Sequence, residues 1–132
     1  MNRGTITIRN TNSDNIQVCL ELSEDGTVWM TKDEISYLFN IYHSTLQSNI
    51  KAIFKSDKLL ENVGKKEEYY FLDNKQQCVA EYFNLDVIIA LCYRIDNYVC
   101  ILFRQWVTEQ VITSLRNSSL TTDRLGMKAN LN

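Results

Sequence analysis

The sequence predicts an α+β fold built as one domain, and three observations favour it. Residues near the N-terminus alternate between polar and apolar types, as half-buried strands do. Residues 31–55 carry two apolar stripes at helical spacing, and residues 85–95 are apolar nearly all round, which is typical of a core helix. We therefore expect a small antiparallel sheet, a pair of adjoining helices and two core helices towards the C-terminus.

Length and composition narrow the class of protein. The 132 residues suit one domain with one core, which we place at residues 1–117, with a frayed tail at 118–132. Hydrophobic residues make up 45% of the chain and charged residues 23%, both ordinary for a globular domain. The longest apolar run, residues 87–93, is too short to span a bilayer, and the N-terminus lacks the apolar stretch of a secretion signal. We expect no membrane association and a cytoplasmic location.

The first strands are predicted from alternation alone. Residues 5–9 and 16–22 each alternate, with a turn-forming cluster between them. Residues 27–30 follow a turn that contains Gly26 and are predicted to be a third short strand. The N-terminal region is thus expected to be a three-stranded antiparallel meander.

The next segment has the marks of a helix start. Thr31 and Glu34 have the spacing of a capping box, and Met30 can pack on Ile35 as a hydrophobic staple. The helix should end at Asn40, because Asn tolerates the left-handed backbone conformation that closes many helices.

A second helix is predicted from about Ser44. Its buried face is formed by four apolar residues: Leu46, Ile50, Ile53 and Phe54. Its other face carries small polar and basic side chains suited to base edges and phosphates: Ser44, Thr45, Gln47, Ser48, Lys51 and Lys55. The pair of helices resembles the helix-turn-helix of phage repressors and Cro-like proteins, although that family usually has Gly where this chain has Asn40. Taken alone, two amphipathic helices joined by a turn are more often plain core packing.

The remaining elements follow in order. Residues 56–66 are predicted to be a polar loop, and residues 69–72 and 77–83 to be strands around a turn at Asp73-Asn74. A hairpin in this position is the wing of a winged helix-turn-helix, where Lys65, Lys66 and Lys75 would touch the DNA backbone. The alternative is a solvated hairpin that only caps the core. Helices are predicted at residues 85–95 and 98–117, separated by Asp96-Asn97.

Residues that usually carry chemistry are sparse. The four cysteines lack the close spacing of a metal knuckle, so we expect free thiols, and the single His43 completes no familiar metal set. No glycine-rich phosphate loop and no nucleophile motif occurs in the sequence. We therefore predict no cofactor, no metal and no enzymatic activity. Arg94 and Arg104 are expected to form ion pairs rather than phosphate contacts, and both tryptophans are expected in the core.

A family resemblance emerges from several motifs in the same order. The segment YFNLDVIIALCYRIDNYVCILFRQWV, residues 82–107, resembles the virulence-associated RhuM family and, more distantly, the Bro-N and KilA-N domains of phage antirepressors. Three further matches precede it: Val28-Trp29-Met30-Thr31, the EIxxLF of residues 34–39 and the NIKxIF of residues 49–54. Within it the matching elements are Phe83-Asn84-Leu85-Asp86, Tyr93-Arg94 and Phe103-Arg104-x-Trp106. The resemblance implies a DNA-binding domain of the kind found in mobile elements and pathogenicity islands. The chain departs from the family at Tyr98 and Val99, where a basic residue is usual, and at Cys92, where Gly is usual.

The sequence therefore predicts a regulatory domain that binds double-stranded DNA. Residues on the second helix would face the major groove (Ser44, Thr45, Gln47 and Ser48), while Lys51 and Lys55 would neutralise phosphates. Lys32 would assist from the first helix, and His43 would act as a cap or a phosphate contact. A net charge of −2 weighs against DNA binding. The surface offers few charges, so binding by one copy should be weak, and a homodimer that reads two half-sites would compensate for this. The alternative is a protein–protein interaction module of antirepressor type, which an acidic chain suits better.

Overall fold

The structure, a computed structural model, describes residues 2–11 and 15–118. Apart from Ser118, the tail predicted to fray lies outside the described residues. In the described ranges the chain forms four strands and five helices, so the predicted α+β class is confirmed. The elements in chain order are β1 (Thr5–Thr11), β2 (Asn15–Glu21), α1 (Lys32–Phe39), α2 (His43–Ser56), α3 (Lys58–Gly64), β3 (Lys65–Phe71), β4 (Gln77–Phe83), α4 (Leu85–Arg94) and α5 (Tyr98–Asn117).

The strands form two separate two-stranded antiparallel sheets, β1 with β2 and β3 with β4. The predicted third strand of the first sheet, residues 27–30, is wrong. Met30 instead makes an isolated antiparallel bridge to Phe83, with N–O distances of 2.9 and 2.8 Å. The segment therefore joins the end of β4 rather than the N-terminal hairpin.

Residues 56–66 are not the loop that the sequence predicted. Residues 58–64 form α3, which begins because the Asp57 carboxylate accepts a hydrogen bond from the Leu60 N–H at 3.0 Å. The following strand starts at Lys65, four residues earlier than the predicted strand at residue 69. α3 thus connects α2 directly to the second hairpin.

The first helix begins as predicted, with a complete capping box. The Thr31 side chain accepts from the Glu34 N–H, and the Glu34 carboxylate accepts from the Thr31 N–H. Arg3 also holds this carboxylate, at 2.6 Å, which ties the N-terminus to the start of α1. Asn40 ends the helix in the left-handed region at φ 53° and ψ 56°, as its residue type predicted.

One continuous core lies between the helices and the second hairpin. Phe39 of α1 and Phe103 of α5 meet edge to face, with ring centroids 5.6 Å apart. The buried side of α2 joins this core through the four residues predicted for it: Leu46, Ile50, Ile53 and Phe54. α2 is therefore fixed on its apolar side, and its polar side is left outward.

Gly4 lies where the N-terminal segment passes close to other backbone. Its φ is +71°, and an added Cβ would lie 2.6 Å from the Glu21 carbonyl oxygen and 2.9 Å from the Ser23 nitrogen. Gly26 has a similar φ of +79°, but its added Cβ would meet nothing within 4 Å.

Gly26→Ala should lower the free energy of unfolding by about 1–2 kcal/mol through strain alone. Gly4→Ala should cost more, because backbone must also move. Thermal melts of both variants measure the difference, and equal losses would contradict a steric role for Gly4.

Candidate functional site

The corner between α1 and α2 sets the direction of the second helix. After Asn40 turns the chain, the Ile41 N–H donates to the Ser36 carbonyl at 3.1 Å. α2 then begins at His43, with Tyr42 as its N-cap residue. His43 was predicted in the turn, but it is the first helical residue, and its Nε2 lies 3.7 Å from an Asp33 carboxylate oxygen. This ion pair, available when His43 is protonated, adds a second link between the two helices.

The structure brings the predicted residues of α2 onto one surface. Five of the six are exposed: Ser44, Thr45, Ser48, Lys51 and Lys55. Gln47 is half-buried, and its amide oxygen accepts from Lys32 Nζ at 3.4 Å. A shallow depression runs along this surface past Gln47 and Lys51. The face therefore remains accessible along most of the helix.

A groove of about 250 Å³ adjoins this surface at the junction of α2, α3 and the second hairpin. Its floor is apolar, from Ile50, Phe54 and Phe83. Five lysines from four elements line it: Lys32, Lys51, Lys55, Lys58 and Lys65. Only two carboxylates share the groove, Glu61 and Glu81, so positive charge exceeds negative charge there although the whole chain is acidic. We call these five residues the lysine cluster.

Glu81 holds two members of the lysine cluster at fixed positions. Its carboxylate lies 3.3 Å from Lys32 Nζ and 3.2 Å from Lys65 Nζ. Partial burial alone would raise the pKa of Glu81, but the hydrogen bonds from Lys65 and Lys32 outweigh it and the pKa is lowered. Lys32 and Lys65, which come from α1 and β3, are thereby drawn together at the groove.

This arrangement predicts a pH-dependent contribution to stability. Because the folded pKa of Glu81 is lowered, its contribution is present above the unfolded pKa and is lost as the pH falls through the folded value. Glu81→Gln should lower the free energy of unfolding by about 1 kcal/mol at neutral pH and have little effect near pH 3. Urea unfolding at both pH values measures this, with Glu24→Gln, an exposed carboxylate in a turn, as the control. A loss that persists at low pH would contradict the ionic origin.

The three lysines that the sequence predicted for a DNA-contacting wing have other surroundings in the structure. Lys65 pairs with Glu81, and Lys66 Nζ lies 4.2 Å from the centre of the Trp29 ring, a cation–π distance. Lys75 lies in the tip of the hairpin, at φ 63°. The outer part of the hairpin instead exposes apolar side chains: Tyr69, Tyr70, Phe71, Leu72 and Val79. Two of the three lysines thus hold the base of the hairpin.

The two arginines have structural contacts. Arg104 forms the predicted ion pair with Asp96 at 2.9 Å. Arg94 Nε donates to the Asn49 side-chain oxygen at 3.0 Å, so its partner is an amide of α2 rather than the carboxylate that the sequence suggested. The Asn49 contact links α4 to the candidate surface.

Both tryptophans pack in or against the core, whereas only Cys92 and Cys100 of the four cysteines are buried. Trp29 is buried and donates from its ring N–H to Asp25 at 2.9 Å, and Trp106 stacks on Phe103 with centroids 5.8 Å apart. All four cysteines are free thiols, as predicted. Burial raises the pKa of Cys92 to about 12 and that of Cys100 to about 11, which keeps both protonated and unreactive at neutral pH.

Residues 2–11 and 15–118 contain neither a metal-binding cluster nor a membrane-spanning helix. No group of three or more His, Cys, Asp or Glu side chains there is placed to hold a metal ion. Within these residues, the length and apolarity that a bilayer-crossing helix requires are not reached by any helix.

Sequence reasoning found the α2 surface but missed half of the adjoining groove. Lys58 and Glu61 were assigned to a loop, and Glu81 was not considered. The signal for α3 was present, since Asp57 is a good N-cap three residues before Leu60. No local signal indicates that Lys32 and Lys65 meet at one carboxylate.

Comparison with known proteins adds no assignment. No protein-family model matches the chain, and neither the curated proteins nor the solved structures contain a significant match.

Proposed function

We propose that the chain binds double-stranded DNA as a winged helix-turn-helix. In this proposal α1 and α2 are the helix-turn-helix, α2 enters the major groove, and the β3–β4 hairpin is the wing. The observation that carries the proposal is the continuity between the polar face of α2 and the lysine cluster. The resemblance to RhuM and phage antirepressor domains supports a regulatory role linked to mobile elements or pathogenicity islands.

The two parts of the surface would do different work. Ser44, Thr45 and Ser48 are exposed on the first turns of α2, where hydroxyl groups can reach base edges. Gln47 is oriented by Lys32, which would present its amide group in a fixed position. The lysine cluster lies beyond them and would follow the phosphate backbone, which fixes the protein on the duplex without reading its sequence.

An acidic chain can bind DNA only through a surface that is not itself acidic. Residues 43–56 contain two lysines and no carboxylate, so the exposed side of α2 does not repel a phosphate. In the groove, Glu81 is already satisfied by Lys32 and Lys65, and Lys58 Nζ lies 3.5 Å from Glu61. Lys51 and Lys55 are exposed on α2 and face solvent. Few phosphate contacts are available, so we expect weak binding by one copy and a steep dependence on salt.

A fluorescence titration against random and genomic duplexes tests the proposal. With about four phosphate contacts, the logarithm of the binding constant should fall with the logarithm of salt concentration at a slope of about −4. Lys51→Ala combined with Lys55→Ala should reduce that slope by about 2 on every sequence. Arg9→Ala, which removes an exposed positive charge from β1, serves as the control and should change the slope little.

Two results would overturn DNA binding. One is no binding of any duplex at low salt by the folded protein. The other is binding that Lys51→Ala with Lys55→Ala leaves unchanged. Gln47→Ala should in addition reduce the preference for a selected genomic site more than it reduces affinity for random duplex.

The outer hairpin favours a second candidate, a protein–protein interaction module of antirepressor type. Five exposed apolar side chains lie on this hairpin, and Tyr69, Phe71 and Val79 share one face because Tyr69 pairs with Val79 and strand residues alternate. Three of the five are aromatic, and aromatic residues are enriched at the centres of protein interfaces. Phe71→Ala would separate the two functions, because it removes an exposed aromatic side chain without adding charge to the proposed wing. It should leave duplex binding by α2 intact and abolish binding to a purified repressor if the hairpin is the docking surface.

A further inference from the structure

The outer half of α5 packs little against the rest of the described chain, and its first residue, Thr108, lies with its Oγ1 3.3 Å from the Tyr93 hydroxyl oxygen. Every residue from 108 to 117 is exposed, although the helix continues without a break. Helices of this length are marginal in water without packing, and Val111 and Ile112 are β-branched residues that favour helix weakly. The exposed fractions of Val111, Ile112 and Leu115 are 52%, 42% and 59%. This half of the helix therefore has the composition of a contact surface.

The exposed residues follow the spacing of a coiled-coil seam. Residues Ile101, Gln105, Thr108, Ile112 and Leu115 are separated alternately by four and three positions, which places them in one stripe. All five are exposed. The apolar end of this stripe is at Ile112 and Leu115, with Val111 beside it. A second helix with the same stripe would cover it.

We propose that the occupant is a second copy of this chain, with its α5 antiparallel to the first. When Ile112 packs on Leu115 of the partner subunit, Glu109 lies opposite Arg116 of the partner subunit on the same flank. The two-fold symmetry repeats both contacts, so each dimer has two pairs of opposite charge. In a parallel arrangement this flank would meet the opposite flank of the partner helix, so Glu109 and Arg116 would not face each other.

The small area of this surface limits the affinity of the dimer. Three aliphatic side chains from each copy cover far less than the roughly 800 Å² per partner of a standard interface. The dimer is therefore weak and depends on concentration. It forms without DNA, so it is measured on the protein alone and stands independently of the proposed function.

Sedimentation velocity of the whole chain over a wide concentration range tests the inference. The wild type should shift from monomer to dimer, and Ile112→Asp with Leu115→Asp should stay monomeric. Both side chains are exposed, so the variant should keep the wild-type circular dichroism spectrum. Tyr37→Asp, at another exposed site on α1, is the control and should dimerise normally.

Charge exchange tests the orientation. Glu109→Arg should weaken association about tenfold by replacing two attractive pairs with repulsive ones. The double exchange, Glu109→Arg with Arg116→Glu, should restore the wild-type dimer. A wild type that stays monomeric at every concentration would overturn the dimer, including the case in which residues 119–132 of the same chain cover the stripe. Failure of the double exchange to restore association would overturn the antiparallel arrangement.

Discussion

Phe103→Ala is expected to lower the free energy of unfolding by about 3–5 kcal/mol. The side chain is 0% exposed and meets Phe39 edge to face and Trp106 in a stack. Its removal leaves a cavity at the point where α5 holds α1, and aromatic contacts are lost in addition to buried area. Since a domain of this size is stabilised by about 5–15 kcal/mol, much of that margin would disappear.

Urea unfolding followed by circular dichroism measures this loss. Phe71→Ala removes the same side chain from the outer hairpin, where it is 70% exposed, and should change stability by less than about 0.5 kcal/mol. Phe103→Leu, which keeps an apolar side chain in the core, should cost less than Phe103→Ala. A loss below about 1 kcal/mol for Phe103→Ala would show that α1 and α5 are held together by other contacts.

The helices could be predicted from sequence because their signals are local. The Thr31 capping box lies within four residues, and it is formed in the structure as predicted. α5 has the predicted limits, because Asn97 caps its start and the apolar stripe continues to Leu115. α3 was missed because seven residues give too short a stripe to outweigh a polar composition.

The strands were predicted less well because pairing depends on distant residues. Residues 27–30 have the alternation of a strand, yet Met30 finds its partner at Phe83, far along the chain. The alternation indicates extended backbone but does not indicate which strand it joins. The same limit explains why the start of β3 at Lys65 was missed.

The two parts of the candidate site also differ in how far the sequence could predict them. The α2 surface follows from helical periodicity, so its six residues were identified from sequence and lie together in the structure. The lysine cluster depends on α1, α2, α3 and β3 meeting at one groove. Lys58 and Lys65 could be placed there only once the fold was known.

The Asn97 side chain links the start of α5 to the end of α1. Its side-chain oxygen accepts from the Cys100 N–H at 2.8 Å, which caps α5. Its side-chain nitrogen donates to the Phe39 carbonyl at 2.8 Å, at the last residue of α1. One amide therefore satisfies a free donor at the start of one helix and a free acceptor at the end of another.

Asn97→Ala should lower the free energy of unfolding by about 2–4 kcal/mol, because the cap and the partner of the Phe39 carbonyl are lost together. Asn97→Ser keeps a capping oxygen but is too short to reach that carbonyl, so it should recover about half of the loss. Urea unfolding of the two variants separates the contributions. Equal losses in both would show that only the contact with Phe39 matters, and a negligible loss in both would contradict the link between α1 and α5.

Because α2 begins four residues after Phe39, Asn97→Ala should also loosen the turn that orients α2. We expect increased hydrogen exchange at the amides of Ile41 and Tyr42, with the buried amides of α4 changed only through the overall loss of stability.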